Sequence, residues 1–204
     1  MTESAQRQDL QRRVLFVRIG WMRFYDGPTP HDEKPIGGGS YTEGHIGHEA
    51  YNFREASGSL YGYFQPSHET ICLERIDPSG AGADHLSGVL VAMIACRVKG
   101  GQVIVGWYRD ATVFRKKKPH SPGKPEGYGH FCSSKRKDCV LLPEYNRTFE
   151  IPQGKGGLGQ ANICYDRDTK GEQKSAAWIK EAINFIESYR ASNILDNPGA
   201  DAER

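Results

Sequence analysis

A membrane span, a disulfide framework and a strong net charge are all missing from this chain, and each absence narrows its class. The longest apolar run, Val89 to Cys96, falls far short of the roughly 20 residues that a spanning helix needs. The N-terminal MTESAQRQDLQRR is polar and contains no apolar stretch of the signal-peptide kind. Five cysteines, Cys72, Cys96, Cys132, Cys139 and Cys164, are odd in number and include no CxxC pair. That usage argues against a secreted disulfide scaffold and for a reduced, cytoplasmic chain. Cys96, inside the apolar run, reads as a buried free thiol. The net charge of +2 by itself favours neither nucleic acid nor a membrane surface as partner. Motifs for catalysis are missing too: there is no GxSxG elbow, no HExxH, no P-loop and no defensible HNH-like pattern. No metal and no cofactor are expected.

What is present is glycine, with 24 residues, and proline, with 11, in a chain whose length suits one domain. Turns must be frequent and helices few. The organising stretch is Leu86 to Arg115, where the apolar run Val89 to Cys96 and a second one, Val103 to Tyr108, flank Gly100-Gly101. Two β-branched and aromatic runs about a glycine pair predict a hairpin, because glycine supplies the positive φ of tight turns. Val14 to Ile19 reads as a strand buried on both faces. Shorter strands are expected at Tyr51 to Phe53, Ser59 to Gln65, Ile71 to Ile76, Cys139 to Leu142, Arg147 to Ile151 and Ala161 to Tyr165. One helix is expected, from about Glu172 to Ala191, with Ala176, Ile179, Ala182, Ile183 and Ile186 on its apolar face and a capping box from Thr169 and Glu172. The expected fold is therefore α+β: a single globular domain over 13–195 with a curved, mainly antiparallel sheet or open barrel and a C-terminal helix. Residues 1–12 read as a flexible arm and 196–204 as a disordered tail.

The charge is unevenly spread. Between Arg109 and Lys137 nine Lys/Arg stand against two acids, an excess of seven positive charges. Arg115, Lys116, Lys117, Lys118, Lys135, Arg136 and Lys137 are thus candidate phosphate contacts, with Lys155 in the glycine-rich Gly154 to Gly159 as another. That last segment matches GxGxxG, yet it lacks the following helix and second half of a dinucleotide fold, and a tight packed turn explains it as well. His45, His48 and Glu49 sit in a loop whose Gly44 and Gly47 argue against the helix a metal pair would need. For a flat ligand the candidate pocket is Trp21, Tyr41, Trp107, Tyr108, Arg109 and Asp110, because aromatic faces then lie beside a donor and an acceptor. Core packing is the competing reading of the same aromatics.

The strings VLFVRIGWMRFYDG, KPIGGGSY, VIVGWYRDATVFR and IPQGKGGLGQANICY resemble a family of uncharacterised bacterial modules found alone or ahead of HNH-type nuclease domains. The resemblance covers about Val14 to Tyr165. It implies a reading module in anti-phage defence, by analogy with PUA-like domains that recognise modified bases, and a nuclease supplied as a separate subunit. The leading expectation is a nucleic-acid-binding module, of DNA rather than RNA, that accepts a modified or flipped base. One alternative is an enzyme on a small or nucleotide-like substrate walled by Gly37 to Glu49 and Gly154 to Gln160. Another is a protein-interaction domain with a basic loop.

Overall fold

The computed structural model describes residues 13–30, 32–37, 46–154, 156–159, 161–174 and 176–196. The expected N-terminal arm, Tyr41, His45, Lys155 and the tail beyond Asp196 lie outside the described residues. Strand β1 is Arg13–Ile19, β2 Glu55–Ala56, β3 Ser59–Gly62, β4 His85–Cys96, β5 Gln102–Lys118, β6 His130–Lys135, β7 Cys139–Leu141, β8 Glu150–Ile151 and β9 Ile163–Tyr165, and helix α1 is Ala177–Ser188. The strands form one open sheet in the order β2-β3-β6-β5-β4-β1-β9. Among the described strands only β1 and β4 pair in parallel; the other pairings are antiparallel. The outer edge of β5 is shared: its first half pairs β8 and β7, and its second half pairs β6.

The expected hairpin is β4–β5. Gly100 and Gly101 take φ of 91° and 85°, as the turn requires, and Arg97 N–H reaches Gly101 O at 2.9 Å. Three register shifts bend the pair. At one of them Arg109 and Asp110 together oppose Leu90, and Asp110 sits at φ 47°. A bulge of this kind raises local twist and turns the strand.

Alternation sorts side chains into two cores. Leu15, Val17, Val91, Met93, Val103, Val105 and Tyr108 face a layer built from the long connections around residues 20–80. Val14, Phe16, Ala92, Ile94, Ile104 and Trp107 face α1, whose Trp178, Ile179, Ala182, Ile183 and Ile186 are buried against them. The strand β1 is thus buried on both faces, as its unbroken apolar run predicts.

Several elements differ from expectation. Ile71 to Ile76 and Tyr51 to Phe53 are not strands: short 3-10 turns at Leu73–Arg75 and His48–Tyr51 bury the same apolar residues without ladder pairing. Strand β6 is absent from the sequence reading because His130, Ser133, Ser134 and Lys135 are polar and only the adjacent Phe131 and Cys132 are apolar. The helix starts at Ala177 rather than Glu172, and Thr169 and Glu172 form no capping box. Asp168 Oδ1 instead accepts the amides of Lys170 and Glu172 at 2.8 and 3.0 Å, closing a turn before the helix. Cys96 ends β4 and is exposed, not buried, and all five cysteines are free thiols. No helix among the described residues is long and apolar enough to cross a membrane.

Because Trp107 and Ile183 belong to the helix-side core, Trp107→Ala should cost about 3–5 kcal/mol and Ile183→Ala about 2–5 kcal/mol in urea unfolding. A loss under about 1 kcal/mol at both sites would place them outside the core.

Candidate nucleic-acid interface

Beyond the bulge, β5 continues for eight residues after Asp110, and no described residue of α1 covers it. Ala111 and Val113 point into the loop-side core, so Thr112, Phe114, Lys116 and Lys118 alternate onto the helix side of the sheet. Cross-strand register brings neighbours to that same face. Thr112 pairs Ser133, Lys118 pairs His130, Tyr61 pairs Ser133, Ser59 pairs Lys135 and His85 pairs Phe114. A polar and aromatic surface results, spread over four adjacent strands.

Its rings touch in sequence. Tyr61 and His130 centroids are 5.0 Å apart, His130 and Phe114 5.6 Å, and Phe114 and His85 6.3 Å. Tyr61 and Phe114 are half-buried, His85 is exposed and His130 is buried in the middle. Lys118 Nζ lies 4.7 Å from the Phe114 centroid, a cation–π contact. Lys116, Lys118 and Lys135 are exposed, and Ser87 and Thr112 hydroxyls meet at 3.0 Å across β4 and β5.

The loop between β5 and β6 fixes the central ring. Ser121 Oγ and His130 Nδ1 are 2.9 Å apart. The Lys124 ammonium, itself buried, donates to Tyr61 O. Burial pushes the His130 pKa down to about 4, reinforced by the charges of Lys124 and Lys118. Burial likewise lowers Lys124 to about 7. At neutral pH the imidazole at the centre of the row is therefore neutral, with Lys118 and Lys124 beside it.

Of the described residues expected to form a base pocket, Trp107 and Tyr108 do not meet in one. Trp107 and Tyr108 are both 0% exposed and belong to opposite cores. Successive residues of a strand point to opposite faces, so the pair cannot line one pocket. The Tyr108 hydroxyl donates to Asn52 O. Trp107 packs edge-on against Tyr189 at 5.4 Å. Arg109 does not read a base edge either: its Nη2 donates to Ile186 O at 2.6 Å, satisfying a carbonyl in the last turn of α1. Trp21 is half-buried beneath the Arg147 guanidinium, 4.7 Å from its ring centroid, and its backbone pairs Ile36. Asp110 alone of the described set is exposed, at the bulge.

The basic set divides in the same way. Arg115 is committed to Ala83 O, Gly80 O and the Glu74 carboxylate, and Arg136 to the Glu55 and Asp196 carboxylates and Leu195 O. Both guanidinium groups thus already hold protein partners. Lys116, Lys117, Lys118, Lys135 and Lys137 are exposed, with Lys117 one residue out of phase with the ring-bearing face. None of Tyr61, Phe114, His130 and His85 is among the candidate site residues read from the sequence. For Phe114 the signal is the two-residue alternation of β5, which runs on into the lysines, whereas His130 and His85 join it only through the register of β6 and β4.

Elsewhere, His48 is stacked between Tyr63 and Tyr128 at 4.6 and 4.7 Å, and no group of three or more metal-ligating side chains occurs among the described residues. Within the glycine-rich stretch Gly156 lies against the start of α1, where Trp178 Nε1 donates to Gly156 O at 2.8 Å. A side chain at Gly157 would meet Pro152 O, 1.7 Å from an ideal Cβ, so close packing accounts for that glycine. A cleft of about 560 Å³ opens beside it, lined in part by Cys164, Lys174 and Trp178. Comparison with family models, curated proteins and solved structures returns no match for this chain.

His130 carries a pH dependence of known sign. Its folded pKa of about 4 lies below its ordinary 6.5, so the unfolded chain takes up the proton first. Stability from this group is complete above pH 6.5 and is lost as pH falls toward 4. Urea melts of the parent between about pH 7.5 and 4.5 should show that loss, and His130→Gln should flatten it; an unchanged profile in the variant contradicts the assignment.

Proposed function

We propose that this protein binds nucleic acid on the uncovered half of its sheet. The observation that carries the reading is the row of rings Tyr61, His130 and Phe114 set among the exposed lysines 116, 118 and 135 on one face. Aromatic rings supply stacking worth about 1–3 kcal/mol per base, and lysines supply phosphate contacts whose strength comes from counterion release. The segment from Arg109 to Lys137, which supplies β6 and the uncovered part of β5, carries the excess of positive charge although the whole is nearly neutral.

The resemblance to modules ahead of nucleases supports DNA over RNA, a defence setting and a nuclease acting as a separate subunit. A PUA-like relation of the fold belongs to the same proposal. An enclosed pocket for a flipped or modified base finds no support in Trp107 and Tyr108, which are core. The enzyme reading retains the cleft beside α1 as its one specific feature. The thiol there, that of Cys164, is pushed up by burial, which disfavours the nucleophilic thiolate.

Binding to a fluorescent DNA oligonucleotide should weaken steeply with salt. Replacing Lys116, Lys118 and Lys135 together by Gln should lower the slope of log K against log salt by about 0.7–0.9 per lysine in contact. Absence of binding at low salt, or a triple variant that binds as the parent does, would reject the proposal.

A further inference from the structure

The ring row has a geometry that selects among nucleic acids, and the selection rests on the nucleic-acid function proposed for the same face. Tyr61, His130, Phe114 and His85 stand on β3, β6, β5 and β4, four strands adjacent in that order. The row therefore runs across the strands, over three inter-strand steps of about 4.8 Å, or about 14 Å in all. Lys116 and Lys118 lie toward one end of this surface. Lys135 lies toward the other, five residues along β6 from His130 and so about 17 Å away. Neighbouring rings are inclined at 66°, 77° and 47° to one another.

In a duplex the faces of the bases are stacked upon each other and only their edges reach the grooves. A ring lying on a sheet face cannot stack on a base that remains paired. The described part of this face carries no projecting helix or two-stranded ribbon that could enter a major groove. Its rings gain contact only with bases already unpaired, and their mutual inclination suits bases splayed one by one rather than a continuous stack. We infer that the occupant of this face is a single-stranded segment, two or three of whose bases lie on Tyr61, Phe114 and His85, around the buried His130, while its phosphates meet Lys116, Lys118 and Lys135. Thr112, Ser133 and Ser87 offer hydroxyls to base edges or sugars between the rings.

The test uses the full chain and fluorescence anisotropy with a mixed-sequence 12-nucleotide DNA strand, the same sequence as RNA, and the blunt DNA duplex, at one low salt concentration. A single strand should bind at least tenfold more tightly than the duplex, the DNA and RNA arms deciding which sugar is preferred. Phe114→Ala and Tyr61→Ala, each checked by thermal melt, should weaken the single-strand affinity by about 5- to 150-fold. Equal or tighter binding of the duplex overturns this inference and leaves the nucleic-acid function standing; no binding of any of the three overturns both. A folded Phe114→Ala protein with parental affinity also overturns it. Should the variants not fold, photo-cross-linking of the parent to a 5-iodouracil strand decides. Adducts within 59–61, 85–87, 112–118 or 130–135 support the inference, and adducts confined to other segments refute it.

Discussion

A helix of twelve residues is about 18 Å long, whereas the strand at the centre of the sheet has seventeen residues and extends to about 55 Å. One such helix cannot cover one face of that strand. The rest of the structure depends on how the mismatch is resolved. The covered part is apolar on the helix side, with Ile104 and Trp107 on β5 and Ala92 and Ile94 on β4. The bulge at Arg109 and Asp110 marks the boundary, and Arg109 fastens to the last turn of α1 through Ile186 O. Past that point the helix-side residues become Thr112, Phe114, Lys116 and Lys118. Water, or a ligand, must meet them.

The opposite face is continuous because irregular segments cover it, and these need internal polar partners. Arg147, nearly fully buried, provides some of them: it donates to Leu142 O, Met22 O and Arg23 O at 3.0, 2.7 and 2.6 Å. Burial holds its pKa down, yet its cation keeps three carbonyls and the Trp21 ring as neighbours. Asn52 acts similarly at Tyr63, exchanging hydrogen bonds of 2.8 Å with both backbone groups of that residue. These contacts explain why so many aromatics are structural here. Tyr25, Tyr63 and Tyr108 all lie in this loop-side core.

The hairpin, the doubly buried β1 and the apolar face of α1 were legible in the sequence, because each depends on local periodicity or on glycine at a turn. The parallel pairing of β1 with β4 was not, since the whole loop layer intervenes and no residue in either strand encodes its partner. Strand β6 escaped notice because HFCSSK holds a single adjacent apolar pair among polar residues and so shows no two-residue apolar alternation. The candidate site failed in the same way. Trp107 and Tyr108 stand out by size and adjacency, yet adjacency in a strand separates side chains by the thickness of the sheet. Phe114 and Tyr61 are inconspicuous in sequence and become neighbours of a common ring, His130, only through the β3–β6–β5 register. Arg115 and Arg136 looked like the lysines beside them, and only tertiary contacts show that their guanidinium groups hold backbone carbonyls and carboxylates.

Amide chemical-shift mapping by NMR during titration with a single-stranded oligonucleotide tests most directly the claim that the uncovered half-sheet is the working surface. Perturbations centred on residues 59–62, 85–87, 112–118 and 130–135, with α1 and the Gly154–Gly159 segment largely unmoved, are the predicted result. Perturbations centred instead on the cleft around Cys164, Lys174 and Trp178, with the half-sheet unmoved, would contradict it.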